Sequence, residues 1–261
     1  MRSLSIAATG MLAQQLNVEV ISNNIANMNT TGFKRQRAEF QDLLYQTVER
    51  VGSTSSDSGT IVPAGVQIGL GVRAAAVYNI AEQGALVATD NPLDLAISGA
   101  GYFQIERPSG ETAYTRAGSF QLSPTGEIVT VDGFKITPSI TVPANAIRVT
   151  INPSGQVLVQ LPNIIAESNV GQFQLANFAN PAGLDPQGDN LFLETAASGA
   201  ANTSVPGASG LGSVQQGFVE ASNVNTVTEI TNLITAQRAY EMNSKVIQTS
   251  DEMLSTINRM R

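Results

Sequence analysis

Apolar residues recur at helical spacing at both ends of the chain and at alternate positions between them. Near the start, Leu4, Ala7, Met11, Gln14, Val18, Ile21 and Ile25 follow at steps of three and four, a heptad seam with one polar member. A second stripe, Leu12, Leu16 and Val20, faces roughly the other way, and Glu19 is the only charge between Ser3 and Phe33. A helix lying on its own domain shows one apolar and one charged face. A helix over Leu4–Ile25 with two stripes and almost no charge implies protein on several sides. Near the end, Leu233, Tyr240, Ile247 and Leu254 recur every seven residues, and Ile230, Ile234, Val246, Met253 and Ile257 widen that seam. Thr226 and Glu229 have capping-box spacing. The second helix therefore starts at Thr226 and runs to Met260, roughly 50 Å at about 1.5 Å per residue. That length favours a coiled coil or an assembly role; the plainer reading is a helical hairpin capping a β-domain.

Between the helices the punctuation changes. Gly32 is placed as the residue that ends the first helix. Phe40, Leu43, Leu44 and Val48 fall on one side of a short helix over Glu39–Val51. Residues 52–60 are small and polar, a loop or arm, and Ile61–Gly71 reads as a glycine-kinked extended arm. Gly69 and Gly71 lack the strand-loop-helix context of a phosphate cradle. From Val72 the period becomes two, with strands expected at Val72–Tyr78, Leu93–Ile97, Tyr102–Glu106 and Thr112–Thr115, and later at Phe173–Phe178 and Leu191–Glu194. Pro108-Ser109-Gly110 makes a hairpin turn. Phe120–Ile128 and Val149–Val157 repeat one design: strand, Ser/Asn-Pro-Ser/Thr-Gly, strand. Proline presets the turn and glycine supplies the positive φ. The small residues of 195–212 read as a connector that leads back to the helices through Val214–Phe218. The fold class is α+β: long N- and C-terminal helices paired in a coiled-coil-like base, with a central, mainly antiparallel β-domain. The expected divisions are 1–45 with 215–261 for the helical domain, 46–75 for the arm and 76–214 for the β-rich domain.

Composition removes whole classes of chemistry. The chain has neither cysteine nor histidine, so disulfides, thiolate sites and Ser-His triads are out of reach. No run of about 18 apolar residues marks a membrane span. Arg2 followed by Leu4–Ala13 has the outline of a signal peptide, but Ser5, Thr9 and Gly10 interrupt it and the heptad runs through it, so it is expected to be mature structure. The net charge of −7 falls entirely on 76–214, which holds four Arg/Lys against eleven Asp/Glu. Nucleic-acid binding wants the opposite balance. Lys34, Arg35 and Arg37 form the only basic cluster and read as a solvated flank after the helix. No catalytic, cofactor-binding or metal-ligating residue is assigned.

Three motifs carry a resemblance. Ile21-Ser22-Asn23-Asn24-Ile25-Ala26-Asn27 with Thr31-Gly32-Phe33-Lys34 resembles the N-terminal motif of bacterial flagellar axial proteins. Ile97-Ser98-Gly99-Ala100-Gly101-Tyr102-Phe103 with Tyr114-Thr115-Arg116-Ala117-Gly118-Ser119-Phe120 resembles the core of their rod and hook members. Ser222-Asn223-Val224-Asn225 with Ala236-Gln237-Arg238-Ala239-Tyr240-Glu241 resembles their C-terminal signature. The arm Gly52–Arg73 resembles a segment typical of the distal-rod member. Proximal-rod proteins generally lack it, and hook proteins usually carry an extra outer domain.

The resemblance implies a structural, non-enzymatic subunit that self-assembles helically into a hollow, rigid drive shaft with an export channel. The terminal helices would form the inner tube and the β-domain the outer wall. It implies as partners further copies of the chain, proximal-rod proteins, the hook protein and the surrounding peptidoglycan/outer-membrane ring, with no nucleic acid and no direct membrane insertion. It also implies a place in the basal body, across the periplasm to the outer membrane, and export by the type III apparatus without a cleaved signal. The residues assigned to self-assembly are Leu4, Met11, Val18, Ile25, Leu233, Tyr240, Ile247 and Leu254. Those of the inter-subunit arm are Pro63, Gly65, Gln67, Gly69 and Gly71. Two other classes compete. A secreted glycosidase would draw a carboxylate pair from Asp90, Asp94, Glu106 and Glu127, yet no nucleophile–base arrangement accompanies them. A β-rich adhesin leaves the helical ends without a purpose.

Overall fold

The computed structural model describes residues 2–48, 65–162 and 166–259. The chain divides into two compact units, one formed by residues up to 25 with 36–78 and 226 onward, the other by 26–35 with 79–225.

The first unit contains α1 (Arg2–Ala26), β1 (Gln36–Asp42), β2 (Tyr45–Thr47), β3 (Gln67–Gly69), β4 (Val72–Asn79) and α2 (Thr226–Arg259). Two contacts fix how the helices pair. Asn24 Nδ2 lies 3.4 Å from Glu229 Oε2, and a Cβ on Gly10 would stand 2.9 Å from Asn243 Nδ2. From Gly10 to Asn24 is 24 − 10 = 14 residues, and from Glu229 to Asn243 is 243 − 229 = 14, so the helices run antiparallel in register. β1 pairs with β4 and β2 with β3, and the Leu43 N–H bond to Gly71 O (2.8 Å) joins them into one ribbon. It is tied to α1 at its base and at the junction of its two halves. Asn24 both donates to Gln36 O and accepts from Gln36 N–H, each at 2.8 Å, while Val72 N–H reaches Thr9 Oγ1 at 3.4 Å. Asn24 to Thr9 is about 22 Å of helix, and Gln36 to Leu43 is about 23 Å of strand. The matched lengths lay the ribbon along α1.

The second unit is built of β5 (Leu86–Ala88), β6 (Leu95–Ser98), β7 (Tyr102–Glu106), β8 (Thr112–Thr115), β9 (Phe120–Leu122), β10 (Ile128–Thr130), β11 (Lys135–Ile136), β12 (Arg148–Ile151), β13 (Gln156–Gln160), β14 (Ser168–Gln172), β15 (Leu175–Asn177), β16 (Asp185–Gly188), β17 (Leu191–Leu193), β18 (Asn202–Ser204), β19 (Ser213–Gln216) and β20 (Phe218–Glu220). The main sheet runs β16-β17-β8-β7-β11-β10-β9, with β15 on the other half of the β7 edge and β18 outside it. A second sheet is β12-β13-β14, and β19-β6 and β20-β5 form two pairs. β7 is buried on both faces. Phe103 meets Phe120 edge to face at 5.1 Å, in a core with Phe173, Leu95, Ile97 and Val157. On its other face Tyr102 packs with Phe178 and Phe192. Such edge-to-face pairs add to the area they bury.

Both helices, the strands β7 and β8 and the two proline–glycine hairpins lie where the periodicity puts them, with Gly126 at φ +81° and Gly155 at φ +77°. Three local expectations are corrected. The helix expected over Glu39–Val51 is strand at β1 and β2, with 49–51 outside the described residues. Pairing with β4 and β3 overrides a spacing that also suits a helix. Gly32 does not cap α1, which ends at Ala26. Its positive φ of +71° serves a close approach, since a Cβ there would stand 2.6 Å from Ala117 N. The stretch 195–212 is more than a connector, because β18 pairs with β15.

Replacing Phe103 with Ala empties the centre of this core. Urea unfolding should show a loss of about 3–5 kcal/mol, whereas Val131→Ala, at an exposed position, should stay within about 0.5 kcal/mol.

Candidate functional site

Two features stand out, one in each unit. The first is the helical seam. Along α2, the buried Glu229, Ala236 and Ser250 and the partly buried Asn243 recur every seven residues. Beside them Leu233, Ile247 and Leu254 are partly buried, and Tyr240 is 44 % exposed. Along α1, Ala7, Ala13, Val20, Ile21 and Asn24 are buried, while Leu4, Met11, Val18 and Ile25 are partly buried. Small and polar side chains thus take many of the deep positions, and the helices approach closely at Gly10. On the same register Ile247, four residues past Asn243, comes level with Ile6. The larger apolar residues of α2 flank the seam. At about 100° per residue, Ile230 falls on one flank and Met242, Val246 and Met253 on the other, Val227 and Ile234 lie on the face away from the seam, and Ile257 continues the seam at the helix end, all exposed. Of the arm residues, Gln67 and Gly69 lie in β3, Gly65 and Gly71 are partly buried, and Pro63 lies outside the described residues. A Cβ on Gly71 would collide with the Thr9 hydroxyl.

The second feature is a buried charge cluster that sequence reasoning missed. The Glu220 side chain is 1 % exposed, and its carboxylate takes Lys34 Nζ at 2.5 Å and Arg116 Nε at 2.8 Å. The Gly84 N–H adds a third donor at 2.9 Å. Lys34 also donates to Glu82 O at 2.7 Å, and Arg116 to Gly101 O at 2.5 Å and Gly99 O at 2.9 Å. The Arg116 guanidinium stands 5.9 Å from the centre of the Tyr102 ring. Lys34 is therefore not a solvated flank residue: the segment after α1 turns into the second unit, and Gly32 N–H binds Glu220 O at 2.8 Å. Arg37 is exposed as expected. The signal available in the sequence was a single carboxylate set between Phe218-Val219 and Ala221.

Burial pushes the Lys34 ammonium below its usual pKa, and the Glu220 hydrogen bond opposes this. Burial raises the phenol pKa of Tyr102 and Tyr114. The four carboxylates that hydrolysis would draw on have ordinary surroundings. Asp94 accepts from Thr89 and Asn91 within its turn. Glu127 is paired with Lys135 at 2.9 Å, and that hydrogen bond lowers its pKa. Asp90 and Glu106 are exposed. Among the described residues no group of three or more Asp or Glu is placed to hold a metal ion, and no helix is long and apolar enough to cross a membrane.

Comparison with known proteins matches three stretches. Residues 4–34 match the flagella basal body rod protein family, 96–159 the flagellar hook protein FlgE/F/G D1 domain, and 215–260 the flagellar basal body rod FlgEFG protein C-terminal family. The chain is 63 % identical to the flagellar basal-body rod protein FlgG of Caulobacter vibrioides, across 100 % of both chains. It is 55 % identical to that of Agrobacterium fabrum over 99 % of each. With that of Borreliella burgdorferi it shares 46 % identity, over 100 % of this chain and 99 % of the relative. The buried cluster draws one residue or more from each matched stretch.

A lysine whose folded-state pKa is lowered binds its proton less well folded than unfolded. Its contribution to stability therefore rises with pH up to about 10.5. The raised tyrosines act in the opposite direction, removing stability above about 10. Carbon-13 NMR of labelled lysines, with Lys34→Arg to assign the signal, should give a Lys34 midpoint below 10.5.

Proposed function

Because the chain belongs to the FlgG family of flagellar basal-body rod proteins and is a structural subunit of the distal rod, not an enzyme, we propose that it assembles helically into a hollow, rigid shaft that carries torque to the hook. It associates with its own copies and with other rod and hook components. In this reading 1–45 and 215–261 line an inner tube, 76–214 faces outward and 46–75 bridges neighbouring copies. The finer partners are proximal-rod proteins, the hook protein and the peptidoglycan/outer-membrane ring around a shaft that spans the periplasm. Export runs through the type III apparatus, with α1 kept, since Gly10 and Asn24 pack against α2.

The observation that carries the assembly reading is the apolar surface on both flanks of α2. A helix with one partner exposes one polar face, whereas this one leaves Ile230 at 45 % and Met242 at 61 % exposed on opposite sides of its seam. Neighbouring copies would cover them. The remaining α2 surface supports a channel role. The hydroxyls of Thr231, Thr235, Thr249 and Thr256 are turned back onto carbonyls four residues earlier in the same helix. Such a wall offers a passing unfolded chain few free hydroxyl donors, and its exposed charges are of both signs, Arg238 and Lys245 with Glu241 and Glu252.

Purified protein at high concentration should form straight, hollow rods by electron microscopy. Ile247→Asp places a charge at a partly buried apolar position level with Ile6, which neighbouring copies would close off from water, at a cost on the order of several kcal/mol. Cells carrying it should export the protein, build no rod and fail to swim. Glu127→Gln alters a pair that solvent screens and should leave assembly intact. The reverse result, with Ile247→Asp motile and Glu127→Gln rodless, would overturn this assignment of inside and outside. Removing residues 52–71 should leave rods that form but bend; equally straight rods would deny the arm its stiffening role.

A further inference from the structure

The chain passes between its two units at four places, after Ile25, Arg35, Tyr78 and Asn225. All force carried along the backbone from one unit to the other goes through these crossings. Inside the second unit the adjoining segments are 26–35, 79–84 and 220–225, and one polar network joins them. Gly32 and Lys34 bind Glu220 from the first segment, and Gly84 binds it from the second. Asn223 repeats the pattern. Its side-chain oxygen accepts Arg35 N–H at 2.7 Å, and its amide donates to Ile80 O and Glu82 O, both at 3.0 Å. Ile80 N–H closes the circuit on Arg35 O at 2.9 Å. Arg116, between β8 and β9, fastens the network to the main sheet through Glu220, Gly99 and Gly101.

We propose that this network is a load-sharing joint. It ties the four crossings to one another and to the sheet, so that strain arriving along one is spread over all. The mechanical part rests on the reading of the protein as a torque-carrying rod subunit. A segment held by one hydrogen bond opens by itself. Here the ions are buried: drawing out Glu220 leaves two cations facing each other in a site closed to water, and drawing out Lys34 or Arg116 strips the carboxylate of a donor. The crossings therefore open together.

Hydrogen exchange on the purified full-length chain tests the coupling. Asn223→Ala removes the amide bridge and leaves the ions in place. Exchange at the amides of Gly32, Arg35, Ile80 and Gly84 should rise together, by about tenfold or more, while the β12–β13 ladder is unchanged. A rise confined to Arg35, the amide that loses its acceptor, would overturn the joint. Asn223→Asp keeps that acceptor and deletes the donors, and it should give the same concerted rise if the network acts as one; protection equal to that of the unaltered chain would count against it. Cells carrying Asn223→Ala should build rods and swim in dilute medium but stop at lower viscosity than the parent. Equal swimming at every viscosity would overturn the mechanical role. Rods purified without this protein in them would remove the rod reading instead, and would leave the exchange result standing.

Discussion

A carboxylate placed out of reach of water organises the second unit. Glu220 accepts from an ammonium, a guanidinium and a backbone amide. An ion is tolerable at this depth only when its lone pairs are filled by well-placed donors. Two positive groups surround one negative one, and the excess is spread over carbonyl oxygens: Glu82 takes Lys34, and Gly99 and Gly101 take Arg116. Those carbonyls belong to loops, so the ions dictate loop shape. The bend between β6 and β7 turns its oxygens inward because Arg116 requires them. The strands that follow then enter the core with both faces covered.

The two units solve the packing problem in opposite ways. The β-domain uses bulk, with Phe103 meeting Phe120 and Phe173 edge to face. The helix pair uses smallness, with glycine and alanine allowing close approach and large apolar groups set to the sides. The first arrangement satisfies itself. The second buries only part of the hydrophobic surface it carries, which is expected where association completes what folding begins.

Elements whose signal is local were legible in the sequence. The helices, β7, β8 and the paired proline–glycine hairpins needed only periodicity and turn chemistry, because the interactions that define them lie within a few residues. The ribbon was misread because Phe40, Leu43, Leu44 and Val48 fit a helical spacing as well as a ladder, and the deciding partners lie some thirty residues on, in β3 and β4. Lys34 was misread for the same reason on a larger scale, since its carboxylate is 186 residues away. β11 and β18, of two and three residues, are too short to show a period at all. The heptads announced the helical seam, but not that Ala236 and Ser250 would lie deeper in it than Leu233 and Tyr240.

Between β2 and β3 the chain leaves and returns at neighbouring points, since Val48 N–H binds Val66 O at 2.8 Å. A segment whose two ends already touch can change its length without disturbing the body that holds it. Closing a flexible loop twice as long costs only about 0.6 kcal/mol more. Residues 49–65 are therefore a place where lineages can lengthen or shorten the chain without breaking the β1–β4 ladder or its ties to α1. Reach and stiffness can then diverge between rod proteins while the host domain stays fixed.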